Sequence, residues 1–163
     1  MRTKFIILAA SLLVLIGAIW VTVSSNDQGA PITIVNTSVP PAPPLDTTLV
    51  REGETLYQQS CARCHGANLE GEANWRVTKE DGSLPSPPHD SSGHTWHHPD
   101  SLLLEIIANG GDPQFNSTMP GFADSLTEDE MIAILEFLKS SWKAEDREYQ
   151  WWISAVEQGN TIP

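Results

Sequence analysis

Hydrophobic positions fall into four blocks with long polar stretches between them. The first, Phe5 to Val23, runs nineteen residues without a charge. A helix of that length covers about 28 Å, close to the hydrocarbon core of a bilayer. Arg2 and Lys4 on its flank predict a cytoplasmic N-terminus and an exported remainder. A cleaved signal peptide normally has a shorter apolar region that ends at an A-x-A-like site; only Val23-Ser24-Ser25 follows here. The reading is therefore a single-pass membrane anchor over 1–25, with a signal peptide as the alternative. Residues 26–45, with Pro40-Pro41-Ala42-Pro43-Pro44, then read as a semi-rigid Pro-rich tether.

Three amphipathic blocks follow. Asp46 to Thr48 offers N-cap residues, after which Leu49, Gly53, Leu56 and Tyr57 share one helical face. Gly53 among apolar neighbours predicts the close approach of a second helix. Pro99 to Asn109 predicts a short helix with Leu103, Ile106 and Ile107 on its buried stripe, stopped by Gly110-Gly111. Thr127-Glu128-Asp129-Glu130 spells a capping box, with Leu126 and Met131 as the hydrophobic staple. That helix carries Ile134, Leu135, Leu138 and Trp142 on one face with Phe137 beside it. Tyr149, Trp152, Ile153 and Val156 repeat the pattern, as a continuation or a further helix that Gly159 ends. Residues 66–98 and 112–125 read as loop, and a loop as long as the first is functional or wraps something.

Charge narrows the partners. The chain carries −12 overall; without Arg2 and Lys4, seven basic residues face twenty-one acidic ones. Such a surface argues against nucleic acid and anionic lipid. It favours partner proteins with basic docking surfaces, or a large complex that holds this domain beside it.

The chemistry lies in Cys61-Ala62-Arg63-Cys64-His65. Two thiols three apart, followed at once by an imidazole, form the attachment sequence of a c-type haem. On one helical turn both thiols point the same way and can bond the two vinyl groups. The next residue, His65, then supplies an axial nitrogen. A zinc site needs four ligands, and these are the only two cysteines. For the sixth ligand Met119 leads, because Pro120 holds its loop extended. A thioether there favours ferrous iron and raises the potential. His89, His94, His97 and His98 remain open as polar loop residues, a second metal site or a rival iron ligand.

These motifs resemble the class I (mitochondrial-type) cytochrome c domain of membrane-anchored mono-haem bacterial cytochromes, over about Thr48 to Trp142. The matching positions are Gly53, Tyr57, Cys61 to Gly66, Pro87-Pro88 and Met119-Pro120-Gly121-Phe122. The resemblance implies an all-α fold, with three or more helices and long loops wrapped around one covalent haem c. It implies that Gly53 and Tyr57 cross the last helix of the domain near Phe137. It also implies a carbonyl from Pro87 or Pro88, less readily Pro85, accepting the His65 ring N–H. The segment Asn74 to His98 looks like an insert of one subgroup of anchored cytochromes. The acidity, the anchor and the C-terminal segment depart from the mitochondrial pattern, so basic-patch docking is not carried over.

The expected organisation is an anchor (1–25), a tether (26–45), a haem domain (46–143) and an amphipathic C-terminal extension (144–163). The expected function is single-electron transfer between redox partners on the periplasmic side of a bacterial cytoplasmic membrane. The chain is expected to be an electron carrier rather than an enzyme, alone or as a subunit of a larger oxidoreductase. The alternative is a haem enzyme or a gas or peroxide sensor with an open or histidine-ligated sixth position.

Overall fold

The computed structural model describes residues 29–162. The expected anchor lies outside the described residues, among which no helix is long and apolar enough to cross a membrane.

Helix α1 (Thr47–Ser60) begins where Asp46 Oδ1 accepts the backbone N–H groups of Thr48 and Leu49, at 2.7 and 3.3 Å. This satisfies two donors that a helix start otherwise leaves bare. A single further turn, α2 (Ala62–His65), ends at Gly66, whose φ of 83° suits a residue without Cβ. The chain then loops to a 3₁₀ turn at Thr95–His97 and to α3 (Asp100–Asn109), which Gly110 closes. Helix α4 (Glu128–Ser140) opens on the expected capping box: Thr127 N–H donates to Glu130 Oε2 at 2.8 Å and Thr127 Oγ1 accepts Glu130 N–H at 3.3 Å. After a break at Ser141–Lys143 comes α5 (Ala144–Glu157). Gly159, at φ 75°, lets Asn160 N–H reach Ala155 O at 2.8 Å and finish the helix.

The pairing of α1 with α4 is the centre of the fold. Gly53 is buried, and a Cβ there would overlap the carbonyl group of Ala133. One turn on, the Tyr57 and Phe137 rings meet at 5.3 Å, tilted by 53°. The crossing that Gly53 predicted is present, with Ala133 as the residue opposite it. Two apolar clusters flank it. Tyr57, Leu69, Leu103, Leu135, Leu138 and Trp142 form one; Ile107, Met131 and Ile134 form the other.

Polar bonds fasten α5 to this core. Lys139 Nζ stands 2.8 Å from Asp100 Oδ2. Gln150 Nε2 donates to Asp100 Oδ1 at 2.6 Å, and Asp100 N–H donates to Ser154 Oγ at 3.0 Å. A partly buried carboxylate is tolerated only with such partners, so Asp100 joins α3, α4 and α5 at one point.

Residues 29–45, part of the segment read as a semi-rigid tether, add a strand pair to the helical fold. They contain a β-hairpin, β1 (Ile32–Ile34) with β2 (Thr37–Val39), antiparallel with Ile32 opposite Val39. A two-stranded hairpin alone is marginal in water. Here Val39 is fully buried, and α5 together with the segment after it supplies donors to the outer backbone. Trp152 Nε1 donates to Thr37 O at 3.1 Å, Trp151 Nε1 to Pro40 O at 2.8 Å, and Ile162 N–H to Ser38 O at 2.8 Å. The pattern ITIVNTSV alternates as a strand pair should, a signal that the run of prolines directly after it masks.

The hairpin turns on Val35 and Asn36, at φ 51° and 63°. Both values are left-handed, and Val35 is branched and 85% exposed. A left-handed conformation costs an ordinary residue about 1–2 kcal/mol, less for asparagine. Val35→Asn is therefore expected to stabilise the protein by about 1 kcal/mol. Urea titration checks this; an unchanged or lower midpoint would show that the hairpin does not belong to the cooperative unit.

Candidate functional site

Between α1, α3 and α4 lies a cavity walled almost wholly by apolar groups, among them Tyr57, Leu103, Ile106, Ile107, Ile134 and Leu138. Cys61, His65, His89 and Thr95 complete its lining. Cys61 closes α1: its N–H donates to Tyr57 O at 2.8 Å, and its own carbonyl accepts Cys64 and His65 N–H groups at 3.0 Å. That turn sets both thiols and the imidazole within one short helix. Both thiols are free; Cys61 is partly buried and Cys64 exposed. Burial, and secondarily Cys64, pushes the Cys61 thiol up to about 11, so it is a neutral thiol at pH 7. The neighbouring Tyr57 hydroxyl donates to Gly66 O at 2.8 Å, which pins the end of the turn.

His65 is buried, and its Nδ1 stands 2.9 Å from Pro87 O. A carbonyl only accepts, so Nδ1 carries the proton and Nε2 keeps its lone pair. Burial lowers the His65 pKa, against the opposing effects of the Pro87 bond and Glu72, and keeps the ring neutral. Of the two prolines, Pro87 makes this bond. Pro88 instead lies against Gly93, where a Cβ would overlap its carbonyl, and against Gly71, where a Cβ would overlap its nitrogen. Two glycines thus admit the Pro87-Pro88-His89 segment to the cavity wall.

Met119 does not line the cavity. It sits partly buried against the end of α3, its carbonyl accepting Gly111 N–H at 3.1 Å. Phe122 N–H then returns to Ile107 O and Ala108 O at 3.0 Å, so the Met119 loop is bound to the helix that walls the cavity.

The four histidines divide between cavity and loop, with His98 edge-on to His94 at 5.4 Å. His94 stacks on Trp75, with ring centroids 5.3 Å apart and planes 8° off parallel, and Arg76 lies over the same indole at 4.4 Å. His97 rests on Trp96 at 3.8 Å. Among the described residues no group of three or more His, Cys, Asp or Glu could hold a metal ion. His89 is the one that reaches the cavity. Its ring stacks on His65 at 4.0 Å and 27°, and Nδ1 pairs with Thr95 Oγ1 at 2.8 Å. Burial, with His65 and His94 beside it, holds its pKa well below the usual imidazole value. Sequence reasoning grouped His89 with the loop histidines; only its closeness to Pro87 hinted otherwise.

The sequence pattern of the family described as Cytochrome c matches residues 50–142, more than half of the chain. The chain belongs to the cytochrome c family. Among curated proteins none matches it. Two solved structures are similar to this cytochrome. Cytochrome cL from Methylophaga aminisulfidivorans MPT is 22% identical, covering 72% of this chain and 69% of that one, at a TM-score of 0.42. Cytochrome cL from Hyphomicrobium denitrificans is 20% identical, covering 71% and 60%, at 0.40.

A cytochrome c domain implies covalently attached haem c, and the residues present fit that group. Two free thiols and a neutral imidazole share one turn at the mouth of an apolar cavity. Trp96, packed on the cluster of Tyr57, Leu103 and Leu138, has a buried Nε1–H without an acceptor. A buried donor left unpaired is costly, and a group carrying carboxylates would supply the missing partner.

Proposed function

We propose that this cytochrome is a one-electron carrier outside the cytoplasm, with His65 and Met119 as axial ligands and Cys61 and Cys64 as covalent links. The observation that carries the reading is the cavity turn itself: thiols and a neutral imidazole held by Tyr57, Gly66 and Pro87 against apolar walls. Bound haem supplies a one-electron iron couple. The chain's part is to orient it and keep water away. Pro87 O fixes the His65 ring, a bond that also raises ligand basicity. Ile106, Ile107, Ile134 and Leu138 exclude solvent from the cavity. Exposed Cys64 leaves the thioether edge open to a partner, and no substrate pocket is required.

A histidine-ligated or open sixth position is the weaker reading. His94 and His97 are engaged on indoles outside the cavity, His98 meets His94 edge-on, and the His89 ring is stacked on His65 with its Nδ1 paired to Thr95 Oγ1. The net charge of −12 supports a partner with a basic docking surface. The apolar run Phe5–Val23 supports anchoring in a bacterial cytoplasmic membrane, with the haem domain on the periplasmic side.

Met119→Ala should leave the haem covalently attached while lowering its potential and admitting exogenous ligands, because a thioether favours ferrous iron. Potentiometry and the far-red sulfur-to-iron absorption band check this. Retention of both would remove Met119 as the ligand.

A further inference from the structure

We propose that His89 is a positioning residue for the axial imidazole: its ring clamps the plane of His65 and so sets that ligand's orientation toward the iron. The inference rests on the reading of His65 as a ligand and adds a residue to it. The bond from His65 Nδ1 to Pro87 O, at 2.9 Å, fixes one direction in the ring plane. It leaves the ring free to tilt about that bond. The His89 ring, 4.0 Å away and within 27° of parallel, blocks tilting toward its side.

A clamp must itself be held, and His89 is held on several sides. Its Nδ1 pairs with Thr95 Oγ1 at 2.8 Å, which fixes rotation of the ring. Its backbone N–H donates to Leu69 O at 2.8 Å, and its carbonyl accepts Trp142 Nε1–H at 2.8 Å. Leu69, Thr95 and Trp142 are all buried. Space-filling alone would be served by leucine at no cost in buried polar groups. A histidine with an oriented bond fits a task that needs a flat ring at a set angle. Pro87 O is the hydrogen-bonded partner that fixes the His65 tautomer and ring direction; the stacked ring adds the restraint on tilt that this single bond lacks.

The test uses the full haem-loaded chain and ferric electron paramagnetic resonance, whose g values report the orientation of an axial imidazole. Haem content by pyridine haemochrome, and loss of the low-spin signal in His65→Gly, establish the underlying reading. Failure there removes the ligand rather than its clamp. His89→Leu should retain two-link haem with shifted and broadened g values. His89→Phe, which restores a flat ring, should return the spectrum toward the native one. Thr95→Val should broaden it, since the His89 ring then loses its fixed angle. If His89→Leu does not accumulate, Thr95→Val decides alone: broadening supports the clamp and an unchanged signal overturns it. Native g values in both variants, or His89→Phe as perturbed as His89→Leu, would overturn it too.

Discussion

Gly53→Leu is expected to destabilise the haem domain by about 3 kcal/mol or more, at the upper end of the usual overpacking cost. A Cβ at this position would overlap the carbonyl group of Ala133, which is helix backbone and cannot rotate aside. Either α1 and α4 separate or both bend, and each outcome disturbs the Tyr57–Phe137 contact one turn away. Helix propensity pulls the other way, since leucine or alanine is favoured over glycine by up to about 1 kcal/mol. Gly53→Ala separates the two effects, because its single methyl meets the same carbonyl with the same propensity gain. Both variants should melt below the native protein, Gly53→Leu lowest. A rise in Tm for either would show that the helices do not meet there in solution.

The second large effect is chemical. Removing either thiol, by Cys61→Ala or Cys64→Ala, should greatly reduce stable haem attachment, and removing both should abolish it. Each sulfur supplies one of two covalent links from a single turn, so neither can replace the other. The two differ in setting, Cys61 half-sunk into the cavity wall and Cys64 at the surface. Cys61→Ala should therefore also loosen the packing beside Tyr57 and Ile134, whereas Cys64→Ala should leave the fold intact. Haem staining of denatured protein measures the links, and thermal melts separate the packing effect. Native amounts of doubly linked haem in either variant would contradict the assignment.

Much of this was legible because it is local. Asp46 and the Thr127–Glu130 box satisfy helix-end donors from adjacent residues, so their meaning sits in four letters. Cys61, Cys64 and His65 likewise share a turn. Gly53 was legible for another reason: a glycine among apolar positions costs helix stability, which only close packing explains. What stayed hidden depends on distant partners. The choice between Pro87 and Pro88 turns on which carbonyl faces His65 after Gly71 and Gly93 admit the segment. The role of His89 depends on Leu69, Thr95 and Trp142, up to 53 residues away. The hairpin depends on two indoles more than a hundred residues downstream.

That hairpin gives the molecule a mechanical property. Tension on the chain from the N-terminal side meets β1 and β2 before it meets α1. It passes through Trp151, Trp152 and the Ser38–Ile162 bridge into α5, bypassing the turn that bears Cys61 and His65. The arrangement works as a cable grip: a tug from upstream is taken up by the hairpin and α5, and the cavity walls feel it only after the hairpin has peeled away. Single-molecule pulling from residue 29 should show a small early release for the hairpin, before the larger rupture of α1 from α4.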